Sequence, residues 1–352
     1  DQAERWLRSF PDRVFLDTKC TTPLPLALPS GADMRIHRIC VALGAAERAE
    51  TDTGKRGLAV SPSVQNDAMP FTVGNTDRAR GWVHVFDEES LAIVLRELST
   101  ISDFVHYLNS KTALFDEGQF VSAESELDLM AYYLWNDRTF PSTEQPFRLD
   151  PNLWPKVEAD PSFLRGRAEN KVSYFWDRLI EYVTGHYLGE TLEFGNEMEM
   201  ADHERLVRIM AGETRLFRRI LSSMILERAA AARKHAIGSL LESGQPDVNY
   251  VLYIGRGDQG GDHATYRADR AEVLKSRCIA AKAVKPQKRY IVGIGLDAMG
   301  VKGSSQDFLL IDTKDWPSEA VEKAEQLRQE FGYFIPGKAI ESRVHVDEYP
   351  DN

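Results

Sequence analysis

The chain has 352 residues, long for a single hydrophobic core, so two or three domains are expected. Its 43% hydrophobic and 28% charged residues are the balance of a folded globular protein and exclude a disordered or fibrous one. Lys+Arg 43 against Asp+Glu 54 leave a net charge of -11, which disfavours indiscriminate binding to nucleic acid or anionic lipid but not a local basic groove. Three scattered cysteines, Cys20, Cys40 and Cys278, make neither a disulfide framework nor a thiolate zinc site, and they suit a reducing compartment. No apolar run approaches the roughly 20 residues that span a bilayer, and no secretory leader is visible. A cytoplasmic protein without a membrane partner is expected.

In chain order, Ala3, Trp6, Leu7 and Phe10 recur at helical spacing, which reads as a helix entered part-way, with an upstream segment expected before Asp1. Arg13 to Asp17 reads as a strand, Pro23, Pro25 and Pro29 as an irregular connector, and Ile36 to Leu43 as a buried strand ending at Gly44. Trp82 to Phe86 alternates as a further strand. Asp87-Glu88-Glu89 opens a helix with acid at its positive end, and Leu91, Val94, Leu95, Leu98, Ile101, Val105 and Leu108 sustain one amphipathic pattern. Helices follow at about Ala123 to Leu134, Lys171 to Tyr187 and Met198 to Leu241, the last long enough to require a break near Gly212. From Asp247 strands at Val248 to Ile254, Tyr290 to Leu296 and Phe308 to Ile311 alternate with helices at Thr265 to Val284 and Pro317 to Phe331. The expected fold class is mixed α/β: an N-terminal α/β domain over 1–86, a helical middle over 87–244, and a C-terminal α/β domain over 245–352 with at least one parallel pair.

Two strings in the last segment carry candidate chemistry. Gly255-Arg256-Gly257-Asp258-Gln259-Gly260 matches G-x-G-x-x-G between a strand and a helix, the setting of a dinucleotide-binding loop. The helix begins several residues late and no acid closes a strand about 20 positions on, so a plain glycine turn is the competing reading. The second string is Asp297 at the end of one strand, with Asp312 and Lys314 in acid-x-lysine order at the end of the next. Metal-dependent nucleases of the PD-(D/E)xK type use such a set, because carboxylates hold a divalent ion that lowers the pKa of bound water while a lysine orients the nucleophile. Asp297 and Asp312 are the candidate ligands for Mg²⁺, with Lys314 beside them as a catalytic residue. Acid-x-lysine recurs at Asp17-Thr18-Lys19. Between His263 and Tyr290, Arg267, Arg270, Lys275, Arg277, Lys282, Lys285, Lys288 and Arg289 face only two acids, a net charge of +6 that reads either as a nucleic-acid surface or as a solvated helix face. The eight histidines show no metal-ligand spacing, and neither a nucleophile elbow nor a P-loop is present.

The stretch from His37 to Arg48, and Val83 to Asp87 running into Thr100 to Phe104, resemble a bacterial protein family of unassigned chemistry. Ala3 to Trp6 and Ser305 to Phe308 share in the likeness, which covers most of the chain. In longer members the segment before the opening helix looks like a restriction-nuclease-type core, with a strand ending in acid-lysine. The resemblance implies that residues 1 to about 86 are the remaining, nuclease-like half of that core. It places Asp17 and Lys19 nearer the active face than Asp312, and implies that a chain without the metal-binding strand does not cleave by that route. Three functional expectations follow. The first is a nuclease-related protein acting on phosphodiesters with Mg²⁺, in bacterial defence. The second is a non-catalytic interaction protein with a helical partner-binding surface, and the third a dinucleotide-binding enzyme.

Overall fold

A computed structural model describes residues 2–62, 64, 69–74, 81–116, 121–141, 145–192, 199–257, 261–301, 305–336 and 346–349. The fold is mixed α/β, as the patterning predicts. It forms two compact units, residues 1–168 with 349–352 and residues 169–348. Of the domain borders expected from sequence, 86 falls inside a strand of the first unit and 244 in a hairpin of the second.

In the first unit, helix α1 (Gln2–Ser9) has no buried residue and is tied down by Glu4, which pairs with Arg8 and Arg38. The strand expected at Arg13 to Asp17 is one antiparallel bridge, Phe15 to Pro23. The cause is local. The Asp17 carboxylate accepts the amides of Lys19, Thr21 and Thr22 and so turns the chain directly after the bridge. Strand β1 (Arg38–Ala42) is followed by α2 (Ala45–Thr53), β2 (Ala59–Val60), β3 (Thr72–Val73) and β4 (Val83–Asp87). β1 pairs with β4 in parallel, and β2 with β3. Asp87 caps α3 (Glu88–Glu97) by accepting the amides of Glu89 and Ser90. The amphipathic run predicted as one helix is two, because α3 stops at Leu98 and Thr100 accepts the Asp103 amide to start α4 (Ile101–Asp116). Then come β5 (Val121–Ser122), α5 (Glu126–Trp135), β6 (Phe147–Arg148), α6 (Leu153–Glu158) and α7 (Pro161–Glu169). Phe86, Val94, Leu108, Met130, Tyr133 and Trp154 fill the main core. Tyr349 returns from the far end of the chain to pack on Phe163, ring centroids 5.2 Å apart.

The second unit opens with a 3-10 turn at Asn170–Ser173, then α8 (Tyr174–Leu188), α9 (Met200–Ala211) and α10 (Arg215–Ala231). The break expected near Gly212 is there, and Thr214 caps the next helix by accepting the Phe217 amide. The helical pattern extended to Leu241 overruns. Residues Ile237–Glu242 are strand β7, held by antiparallel pairing to β8 (Val248–Gly255). Helix α11 (His263–Val284) carries the chain to β9 (Tyr290–Asp297), parallel to β8, and β10 (Gln306–Asp312) returns antiparallel before α12 (Ser318–Glu330). The sheet order is β10-β9-β8-β7. Alternation sorts its faces: Tyr250, Leu252, Ile254, Val292 and Ile294 join Trp176, Leu206 and Ile225 in one core, and Val251 and Ile291 pack with Leu274 and Cys278 in another. Among the described residues no helix is long and apolar enough to cross a membrane.

Candidate functional site

Because β8 and β9 are parallel, their carboxyl ends lie side by side, with Gly255 opposite Asp297. Open α/β sheets bind ligands at such ends, and the glycine string and Asp297 meet here. The space between them is filled by protein. Tyr266 of α11 donates its hydroxyl to Asp297 Oδ1 at 2.5 Å and accepts the Gly257 amide at 3.1 Å. Any Cβ on Gly255 would collide with that hydroxyl, and Gly257 has φ +83. Both glycines are therefore accounted for by the tyrosine and the turn. Asp262 caps α11 with its own carboxylate, accepting the amides of Ala264 and Thr265, so the anion position at the helix start is taken. Gly260 lies outside the described residues.

Asp297 belongs to a closed ion-pair network. Its Oδ1 also takes Arg270 Nη1, and its Oδ2 accepts the Ser305 amide at 2.8 Å and hydroxyl at 3.1 Å. Arg270 grips Asp307 Oδ2 through Nε at 2.9 Å and Nη2 at 2.6 Å, while Arg267 holds Oδ1 at 2.8 Å. The side chains of Arg270, Asp297 and Asp307 are 0%, 2% and 1% exposed, which is why each charge must be answered internally. Burial, then the bond to Asp297, pushes Tyr266 up to about 12, so it remains a hydrogen donor at neutral pH. Tyr266 was not singled out from the sequence, Arg270 was read only as part of the basic stretch, and Asp307 only within the family likeness. The available signal was Asp307 one position before the apolar run Phe308 to Ile311.

Asp312 is elsewhere. The turn between β9 and β10 reverses the chain, so Asp312 pairs with Tyr290, seven residues before Asp297; at about 3.3 Å per residue this is roughly 23 Å away. It receives Arg289 Nε at 2.9 Å and Nη2 at 2.7 Å, and those bonds hold its carboxyl below the usual range. Lys314 is exposed and contributes its backbone amide to Asp312 at 3.0 Å. The expectation that Asp297 and Asp312 share Mg²⁺ beside Lys314 is thus corrected: antiparallel strands put successive strand ends at opposite edges of the sheet. Asp17 and Lys19 belong to the other unit and lie at its surface. Desolvation, the largest single effect, works to raise the Asp17 pKa, but amides from Thr22 and Thr21, the Thr21 hydroxyl and the Lys19 amide together outweigh it and bring it to about 2. Among the described residues no group of three or more His, Cys, Asp or Glu is placed to hold a metal ion.

The basic stretch is likewise spent inside the unit. Arg267 and Arg270 bind acids of the network, and Lys285 pairs with Glu242 and Arg289 with Asp312. Lys282 donates to the carbonyls of Pro286 and Lys288, and Lys288 to that of Gln245. Arg277 lies against Tyr253 and Tyr333, which leaves Lys275 exposed. A continuous phosphate-facing surface is not what these residues build.

The unanswered surface is β1. Expected to be buried, it has Ile39 43% and Val41 40% exposed, with Cys40 exposed between them and Leu43 beyond at 81%. Its register puts Ile39 and Val41 on the face of His84 and Phe86, and Cys40 on the face of Val85. The β4 members of the first face are buried, whereas those of β1 are not. On the second face an open apolar cleft of about 350 Å³ is lined by Ala42, Leu58, Phe71, Val73 and Val85. Among the described residues β4 is the one strand paired with β1, and none of them pairs as a strand along its other edge. Parallel strands ordinarily have both faces covered, and an exposed apolar edge is a template for another strand.

Beneath this sheet His84 is 2% exposed and its Nδ1 has no partner. Burial, then the charge of Lys111 and the neighbouring His37, lowers its pKa to about 3. The native state keeps it neutral while the unfolded chain takes up a proton below about pH 6.5. Stability of the first unit is therefore undiminished above that pH and declines as pH falls from there toward 3, by about 1.4 kcal/mol per unit. Urea unfolding of wild type and His84→Leu at neutral and mildly acidic pH checks this; equal pH slopes for the two proteins would refute it.

Comparison with known protein families, characterised proteins and solved structures gives no match for this chain.

Proposed function

We propose that this protein is a binding module whose first unit receives an additional β-strand along the free edge of β1. The single observation that carries the reading is the exposure of Ile39, Cys40 and Val41 on a strand that is parallel, apolar and paired on one side. Backbone pairing would supply affinity, and the cleft lined by Leu58, Phe71 and Val73 would take alternate side chains of the arriving strand. The partner surface is then a sheet edge and not the helical middle. Val41→Lys tests it, since a lysine on an edge blocks strand addition without touching a buried position. In protein recovered from its host without denaturation, those amides of residues 39–41 that point away from β4 are expected to exchange slowly in wild type and fast in the variant. Fast exchange in both would sink the idea.

The nuclease reading draws on the same strand. A two-stranded parallel pair is part of a sheet, as the family resemblance implies for residues 1 to 86, and the arriving strand would then bring the metal-binding acids. Mg²⁺-dependent cleavage of DNA by the recovered wild type, lost in Val41→Lys, would join the two readings; cleavage untouched by the substitution would separate them. The dinucleotide reading has no comparable support, because Tyr266 and Asp262 occupy the positions a pyrophosphate needs.

A further inference from the structure

Arginines buried in the second unit are answered by protein: Arg215 and Arg218 by Asp177, Arg270 by Asp297 and Asp307, and Arg219 by carbonyls of residues 347 and 348. Arg277 differs. It projects from α11 to Gly238 of β7, where any Cβ would collide with its guanidinium. Tyr253 and Tyr333 hold it by their rings, with its Cζ 5.3 Å and 4.2 Å from their centroids. None of its five N–H donors is given to a carboxylate or carbonyl among the described residues, and Nε is fully buried with no partner. Desolvation, only partly offset by the two tyrosines, lowers its pKa. Stacking satisfies the faces of a guanidinium and leaves its edges, the part that makes bidentate bonds, unanswered.

We propose that Arg277 is the anchor of an oxyanion site that takes a phosphate group. The two rings fix the guanidinium in one orientation, so little freedom remains to be lost on binding. The Ser276 hydroxyl donates to the Val273 carbonyl at 2.9 Å and so accepts from the Tyr333 hydroxyl at 3.2 Å, a bond that fixes the Tyr333 ring against the guanidinium. Two parallel N–H groups at one edge of a fixed guanidinium match two oxygens of a phosphate. The site is independent of strand addition at β1, being in the other unit.

Titration calorimetry of the whole chain with inorganic phosphate at low ionic strength tests the assignment. Wild type is expected to bind saturably, and Arg277→Lys, which keeps the charge but loses the fork, at least tenfold more weakly. Absence of saturable binding to wild type, or equal binding by the lysine variant, overturns the proposal. Should Arg277→Lys fail to fold, Tyr333→Leu removes one ring of the sandwich: weakened phosphate binding upholds the site and unchanged binding overturns it. A thermal shift by phosphate that is the same in wild type and variant counts as general salting of the fold and against the site.

Discussion

Asp307→Ala is expected to destabilise the second unit by about 3–5 kcal/mol, the range for removing one partner of a buried ion pair. The substitution leaves Asp297 as the one acid that holds Arg270 and takes away the acid that Arg267 binds, in a setting where the Arg270 side chain is 0% exposed. Hydrogen exchange of the β8 and β9 amides reads the effect within that unit, which matters because a chain of two units need not unfold in one step. The same experiment separates structure from chemistry at Asp297. If the network is architectural, Asp297→Asn lowers protection of β8 and β9 along with any function the protein has. An Asp297→Asn variant as stable as wild type would contradict the account of a closed network.

The second large effect is expected in the first unit, at Lys111→Met. Lys111 and Glu126 are 0% and 1% exposed and paired at 2.5 Å, and Tyr107 donates to the other Glu126 oxygen at 2.7 Å. Removing the ammonium leaves a buried carboxylate with one neutral donor, at a cost of about 3–5 kcal/mol. Adding Glu126→Gln removes the stranded charge while keeping an acceptor for Tyr107, so the double variant should recover much of the loss. Urea midpoints for the two single variants and the double give the coupling directly. Simple additivity would mean that the pair is not coupled as its geometry requires.

The elements of the second unit were legible because their signals are local. Val248 to Ile254 and Tyr290 to Leu296 are continuous apolar runs, and a continuous run is what a strand buried on both faces requires. What local pattern does not encode is direction. Asp297 and Asp312 each close a strand, and only the antiparallel return of β10 sends them to opposite ends. Ile237 to Leu241 read as helix because its apolar residues fit the preceding period, and pairing to β8 overrides that fit. The basic stretch misled for a related reason: charge on a helix looks the same in sequence whether its partner is water or Asp307. β1 misled in the opposite sense. Hydropathy records a strand that wants cover on both faces, but not whether the cover is part of the same described chain.

The path of the chain has one more consequence. Residues 1–168 form the first unit and Tyr349 rejoins it against Phe163, so that unit is drawn from two stretches of chain far apart in sequence. The chain passes between the units at 168–169 and again at 348–349. A protease that cuts near residue 168 leaves two fragments with no covalent link, and the one that carries Tyr349 is then retained by non-covalent packing such as that of its ring on Phe163, so retention after a single cut reads the strength of that packing.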